Sequence, residues 1–268
     1  MDPFGDLLGL DVDLTPFLVL GALAVARIAP VLFMVPFLGG RSLPAEARIA
    51  LALLTTVLVF PSLTSDLSAV PTSPVALVAL LFKEVLIGAA MGLVTALPFA
   101  ALEMSGRLVD TIRGANLAEV LDPHSGQRTS PLGELHLLLG VAIFLLIGGH
   151  RAFLRTLAGS FVAVPVLEFP RADPTSVGAF AEAVAKLGAA ALATAIGLAG
   201  PAIVAIIASE IALGVLNRAA PQMGVYFVGM PLRAAAGLAA AALTVALILP
   251  ALRAHAGQAL QALGALLG

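Results

Sequence analysis

Residues 14–38 read LTPFLVLGALAVARIAPVLFMVPFL and contain a single charged side chain, Arg27, at their centre. A mostly apolar run of about 20 residues is long enough for a helix to cross a bilayer. A central Arg opposes insertion by roughly 2.5–3.5 kcal/mol, but each Leu, Ile, Val or Phe favours it by about 0.3–0.6 kcal/mol. The run is therefore predicted to be a membrane helix in which Arg27 needs a polar partner, either a functional group or simply a neighbouring carbonyl.

The rest of the chain has the same apolar character. It has 268 residues, of which 60% are hydrophobic and 11% charged, whereas an ordinary soluble domain has about 25% charged residues. This composition indicates an integral membrane protein. A net charge of −2, one Tyr and no Trp exclude a nucleic-acid-binding surface, which needs clustered Lys or Arg and aromatic platforms. The absence of Cys excludes disulfides and thiolate metal sites.

Five further apolar runs predict an all-α fold. With the first run they give about six long apolar helices, joined by shorter broken or amphipathic helices such as residues 151–174. The acidic residues 1–13 lack the basic region of a cleavable signal peptide, so the first run is expected to remain in the mature protein. The five runs are residues 49–63, 74–102, 135–149, 187–209 and 225–252.

Two features conflict with a simple bundle of six spans. The fourth run has about 15 residues between Glu134 and His150, a helix of about 22 Å, and the hydrocarbon core is about 30 Å thick. Either the bilayer thins and the flanking residues snorkel, or protein surrounds this helix. In addition, Arg151, Arg155 and Arg171 would lie outside, against the positive-inside rule.

Small residues in the third run predict close helix packing. Gly88 and Gly92 form a G-x-x-x-G pattern on the same helical face as Glu84, and such faces let two helix backbones approach closely. Lys83 and Glu84 come just before the uncharged residues 85–102, and they are expected to lie at a membrane interface.

The polar residues 103–130 differ from all the runs around them. Glu103 and Arg107, and Arg107 and Asp110, have spacings that allow ion pairs along one helix face. Glycines and prolines then predict defined bends, and Ser130-Pro131 predicts the cap and first turn of a helix. The segment is either a solvated loop or a bent segment that plugs a pathway.

Catalysis is not expected. The four His, at positions 124, 136, 150 and 255, show no H-E-x-x-H or other metal spacing, and there is no G-x-S-x-G nucleophile elbow. No cofactor or metal is predicted.

A set of short motifs occurs in order along the chain: RIAPVLFMVPFLGGR at 27–41, KEVLIG at 83–88 with Gly92, GRLVDTIRGA at 106–115, Asp122-Pro123, SPLG at 130–133, GGH at 148–150, APQ at 220–222 and GMP at 229–231. This ordered set resembles the FliR/SctT family of type III secretion export-gate membrane proteins. The match runs from about Leu14 to Leu252, and residues 110–115 and 130–133 look more like the injectisome branch than the flagellar branch.

The resemblance implies that the whole chain, residues 1–268, is one export-gate domain in a multi-subunit helical assembly. It would comprise the acidic 1–13, three helices in 14–102, a bent plug-like 103–131, the remaining helices in 132–252 and a tail, 253–268. The implied plug residues are Arg113, Gly114, Pro123, Ser125, Gly126 and Pro131. Residues predicted to pack helices or subunits are Arg27, Lys83, Glu84, Gly88, Gly92, Pro221 and Gln222.

The implied function is to form and plug a channel for unfolded polypeptides in the bacterial inner (cytoplasmic) membrane, within the base of a secretion apparatus. The implied partners are FliP/SctR-like and FliQ/SctS-like subunits, with FlhB/SctU-like and FlhA/SctV-like proteins and the exported polypeptides. The alternative is a secondary transporter for a small solute or ion, motivated by Arg27 and by a helix expected to break at Pro201, because discontinuous helices form midplane sites.

Overall fold

A computed structural model describes residues 14–38, 43–63, 70–71, 73–114, 130–169 and 174–267. In these ranges the regular structure is α-helix and short 3-10 helix, with no strand, which confirms the predicted all-α class. The α-helices are α1 (Thr15–Met34), α2 (Ala45–Val59), α3 (Pro74–Ile112), α4 (Pro131–Leu146), α5 (Gly149–Ala163), α6 (Pro174–Ala219) and α7 (Val225–Leu267). The 3-10 helices are Pro36–Leu38, Phe60–Ser62 and Pro221–Met223.

The long apolar helices identify a membrane protein. Within the described residues four helices, α1, α3, α6 and α7, are long and apolar enough to cross a bilayer, and the bent pair α4 and α5 is a possible fifth span. Helix α2 has 15 residues, so it is shorter than the roughly 20 that a span needs. The second of the six predicted apolar helices therefore falls short of a span.

Three helices extend well beyond the apolar runs that predicted them. Helices α3, α6 and α7 have 39, 46 and 43 residues, which correspond to about 58, 69 and 64 Å at 1.5 Å per residue. Helix α3 continues past residue 102 to Ile112, so the polar segment begins as helix. Its buried residues there are both apolar, such as Leu102 and Val109, and polar, namely Ser105 and Asp110.

The break expected at Pro201 is wrong, because α6 runs through this residue without interruption. A proline inside a helix removes one hydrogen bond and costs about 3 kcal/mol. Pro201 itself is exposed, whereas the residues on either side of it, Ala199 and Ala202, are completely buried. Packing on both sides of the proline therefore holds the helix together.

A sharp bend separates α4 from α5. The two helices meet at an angle of 76°, and Gly148 between them has φ +77°. This left-handed conformation is accessible to glycine because it has no Cβ. The fourth apolar run, which was too short to cross upright, is thus followed immediately by a change of direction.

The chain forms two compact units. The first comprises residues 1–96, 148–184 and 259–268, and the second comprises residues 97–147 and 185–258. In the first unit, buried side chains of α1 such as Leu23 and Ile28 form part of the core. Phe37 meets Phe153 of α5 edge to face at a centroid distance of 5.0 Å. The single export-gate domain stays a prediction.

The core of the second unit joins α3, α4, α6 and α7. Small residues of α6 and α7 dominate it, so these helices approach closely without large side chains between them. The buried members are Val109, Leu132, Ala199, Ala202, Ile206, Ala240 and Ala241.

Candidate functional sites: a buried ion cluster and the ends of a connecting segment

An ion pair between Arg27 of α1 and Glu84 of α3 lies in the core of the first unit. Both side chains are 0% exposed. The Arg27 Nε donates to one carboxylate oxygen of Glu84, and Nη2 donates to the other at 2.9 Å. This two-point contact is the strongest geometry for a guanidinium and a carboxylate.

The remaining donors of Arg27 meet the C-terminal end of α5. Nη1 donates to the Ser160 carbonyl at 2.7 Å and to its hydroxyl oxygen at 3.3 Å, and Nη2 donates to the Val164 carbonyl at 2.8 Å. The Phe161 ring lies 4.4 Å from the guanidinium carbon. All five N–H donors of Arg27 therefore have acceptors within the chain, and no neighbouring subunit is needed to supply them.

Lys83 extends the cluster to the turn after α5. Its Nζ lies 2.7 Å from a Glu84 carboxylate oxygen. It also donates to the backbone carbonyls of Pro165, Val166 and Glu168, at 3.0, 2.7 and 2.7 Å. Lys83 is 6% exposed, so the structure buries Lys83 and Glu84 in the protein, in contrast to the predicted interface position.

The carbonyls offset an excess of positive charge. The cluster holds two cations and one anion, and its other polar partners are the Ser160 hydroxyl and five backbone carbonyl oxygens. Two of these carbonyls, those of Ser160 and Val164, belong to the C-terminal end of α5, where the helix dipole is negative. The three charged side chains thus join α1, α3 and the end of α5 into one polar contact.

The G-x-x-x-G residues bring the backbones of α1 and α3 together. A Cβ added to Gly88 would overlap the carbonyl oxygen of Arg27, and one added to Gly92 would lie 3.2 Å from the Val31 Cα. Only hydrogen at Gly88 permits this approach, and a side chain at Gly92 would require its neighbours to shift by a few tenths of an ångström. The approach places Glu84, one turn before Gly88, at the level of Arg27.

Asp110 is the centre of the second site. It is fully buried near the end of α3, and its Oδ1 accepts from Arg113 Nε at 2.7 Å. Its Oδ2 accepts from the Ser130 hydroxyl at 2.6 Å and from the Leu132 backbone N–H at 2.9 Å. Arg107 pairs with Glu103 instead, so Asp110 is paired with Arg113 in place of the predicted Arg107.

Ser130 also caps α4. Its hydroxyl oxygen accepts from the Gly133 N–H at 3.1 Å, and Pro131 follows at the first helical position, which confirms the predicted cap. Beside it, a Cβ on Gly106 would overlap the backbone of Leu132. One turn further on, His136 Nδ1 lies 2.8 Å from the Ser105 hydroxyl oxygen, and both residues are buried. The end of α3 and the start of α4 are therefore in direct backbone contact.

The predicted plug residues fall into two groups. Arg113, Gly114 and Pro131 border residues 115–129 in the second unit, and Gly114 has φ +80°. Pro123, Ser125 and Gly126 lie outside the described residues. Pro221 and Gln222 form an exposed 3-10 turn between α6 and α7, and their role in subunit packing stays a prediction.

The set of predicted site residues missed the partners that organise the second site. Asp110 was predicted only to pair with Arg107, Ser130 only to cap a helix, and Gly106 only as part of a family motif, and none of the three was placed among the plug or packing residues. The signals present were the spacing of Asp110 and Arg113, three residues apart on a helix, and the Ser-Pro start of α4. Among the described residues, no three His, Asp or Glu side chains form a group suited to a metal ion.

Comparison with known proteins identifies the family. The family described as bacterial export proteins, family 1, matches residues 18–259. The chain is 33% identical over 224 residues to the flagellar biosynthetic protein FliR of Pectobacterium carotovorum subsp. carotovorum, covering 84% of this chain and 82% of the relative. It is 29% identical over 213 residues to the surface presentation of antigens protein SpaR of Salmonella typhimurium, covering 79% and 77%.

A third relative is a translocation protein by its name. The Yop proteins translocation protein T of Yersinia pestis is 34% identical over 160 residues, covering 59% of this chain and 60% of the relative. Flagellar and translocation proteins thus both match. The protein belongs to bacterial export proteins family 1, the FliR/SctT family of type III secretion, and is a membrane component of a protein-export apparatus.

Proposed function

We propose that this protein forms part of the channel of a type III secretion export gate, and that the segment between α3 and α4 plugs it. Unfolded polypeptides would cross the bacterial inner membrane through this channel. Family membership supports the export role. The observation that carries the plugging role is the attachment of both ends of residues 115–129 to the same buried carboxylate, Asp110.

The geometry at these ends suits a plug better than a free linker. A solvated linker needs no fixed ends, and its flanking residues are usually exposed. Here the flanking contacts are buried, and the backbones of Gly106 and Leu132 touch. A segment with fixed ends returns to the same place after each displacement, as a plug must.

The proposed partners are FliP/SctR-like and FliQ/SctS-like subunits, joined by FlhB/SctU-like and FlhA/SctV-like proteins. An ion pair on the surface supports the proposal that another subunit covers this part of the chain. Glu210 and Arg233 lie 3.3 Å apart, and their side chains are 45% and 28% exposed. Exposed Ile207 and Ile211 flank Glu210 on α6. A charge facing lipid is expensive, whereas a partner helix can supply polar groups.

The protein is proposed to be non-enzymatic and to need no cofactor, with the energy for export supplied elsewhere in the apparatus. The sequence has no phosphate-binding G-x-x-x-x-G-K motif. This supports the proposal that another component supplies the energy. A secondary transporter has less support, because the discontinuous helix that motivated it is continuous through Pro201.

Deleting residues 121–129 tests the plug. In cells that express the complete export complex, we expect the leak of ions and small molecules to increase several-fold, because the obstruction is removed. Ser130 is retained in the deletion, since it caps α4 and contacts Asp110.

A Gly-Ser replacement of residues 64–69, another connecting segment, is the matched control and should leave the leak unchanged. Both leaks are normalised to the amount of assembled complex recovered in mild detergent. A normal leak from fully assembled complexes that carry the deletion would reject plugging by this segment.

A further inference from the structure

Each oxygen of the Asp110 carboxylate contacts a different side of the break between α3 and α4. Oδ1 accepts from Arg113, which lies just beyond the end of α3. Oδ2 accepts from Ser130 and from the Leu132 backbone, at the start of α4. One side chain thus connects the end of α3 with Ser130, which lies 20 residues after Asp110 in sequence.

Burial makes these contacts dependent on one another. Asp110 is 0% exposed, so water does not replace a lost partner, and an unsatisfied buried carboxylate is expensive. Arg113 supplies the opposite charge, with Nη2 2.6 Å from Oδ1 and a side chain that is 12% exposed. Loss of any one partner is therefore costly, and loss of the carboxylate charge disturbs the contacts on both sides at once.

We propose that Asp110 is the positioning residue that clamps the end of α3 to the start of α4 and thereby keeps the export gate closed. This proposal rests on the proposed function. The close backbone contact between Gly106 and Leu132 keeps the two helices side by side, and the Asp110 carboxylate fixes the ends of the chain beyond that contact.

Asp110→Asn tests the clamp with little change in side-chain volume. The amide lacks the charge that pairs with Arg113, and its NH₂ group is a donor that faces either the Arg113 donors or the Ser130 and Leu132 donors. We expect a several-fold increase in leak at normal complex recovery. The matched control is Glu103→Gln, which makes the same chemical change in another ion pair on α3 and should leave the leak unchanged.

A distance measurement separates a clamp from a general structural role. The chain has no Cys, so spin labels can be placed on Thr111→Cys and Glu134→Cys, both at exposed positions, in the assembled complex. We expect one narrow distance distribution in the parent protein and in Glu103→Gln. In Asp110→Asn the distribution should broaden.

Moving the carboxylate provides a rescue. Ser130→Asp in the Asp110→Asn background returns a carboxylate to the clamp, and Asp is as good an N-cap as Ser. The double variant should recover both the low leak and the narrow distribution. If Asp110→Asn does not assemble, the clamp is tested with Ser130→Ala, which leaves the Asp110–Arg113 pair in place. The leak and the distance distribution are then measured for that variant.

A normal leak in the assembled Asp110 or Ser130 variant overturns the proposal, whether or not the distance distribution broadens. The deletion of residues 121–129 then shows which idea has failed. If that deletion leaks, the segment is a plug that does not depend on Asp110. If it does not leak, the proposed plugging function fails as well.

Discussion

Glu84→Gln is expected to cause the largest loss of folded protein of any substitution in the buried ion cluster. Glu84 is the only anion between Arg27 and Lys83, so its removal changes the net charge of the cluster from +1 to +2, inside the protein. Breaking a buried ion pair from one side costs about 3–5 kcal/mol. The measurement is the thermal unfolding of the full chain in mild detergent, together with its recovery in the complex.

Arg27→Leu should do less damage than Glu84→Gln, because Lys83 still pairs with Glu84 and the cluster becomes neutral. It should nevertheless impair assembly of the complex more than insertion into the membrane, since the Ser160 and Val164 carbonyls lose their donor. The double variant Arg27→Leu, Glu84→Leu should be more stable than Glu84→Gln alone.

Glu103→Gln is the matched control for this series. It removes a carboxylate from the same helix, but its ion pair with Arg107 is partly exposed, and such pairs contribute about 0.3–0.5 kcal/mol. Equal stability of the Glu84 and Glu103 variants would contradict the importance of the buried cluster. Full recovery of the complex with Arg27→Leu would contradict a role for Arg27 in assembly.

Gly88→Ala is expected to separate α1 from α3. The added methyl group would occupy the position of the Arg27 carbonyl oxygen, and backbone atoms cannot rotate away as a flexible side chain can. Overpacking of this kind costs about 1–3 kcal/mol or more. It would also pull Glu84 away from Arg27, so the loss in thermal stability should be at the upper end of that range or above it.

Gly159→Ala, in α5 of the same unit, is the control for Gly88→Ala. A Cβ at Gly159 meets no atom within 4 Å, and Ala is favoured over Gly inside a helix by about 0.5–1 kcal/mol. The two substitutions should therefore shift the unfolding temperature in opposite directions. A stabilising effect of Gly88→Ala would show that α1 and α3 do not depend on this close approach.

The sequence correctly predicted features that depend only on residues adjacent in the chain. The cap at Ser130-Pro131 follows from local backbone chemistry. The continuation of α6 through Pro201 was not predicted, because proline propensity is local whereas the burial of Ala199 and Ala202 is a property of the packed unit.

The sequence also did not predict which residues pair with the buried charges. Helical spacing made an Arg107–Asp110 pair possible, but Arg113 occupies the carboxylate. The contact of Asp110 with Ser130 depends on α4 returning to the end of α3. No helical period connects positions on two different helices.

By itself, the sequence determined that this is an all-α membrane protein, because its few charges cannot cover a soluble surface, and that Arg27 must have a polar partner. Only the tertiary structure decided that the partner is Glu84, 57 residues away in the chain, and that Lys83 joins them. The physical reason is that hydropathy fixes which segments leave water, whereas the pairing of charges depends on where Gly88 and Gly92 let two helix backbones touch.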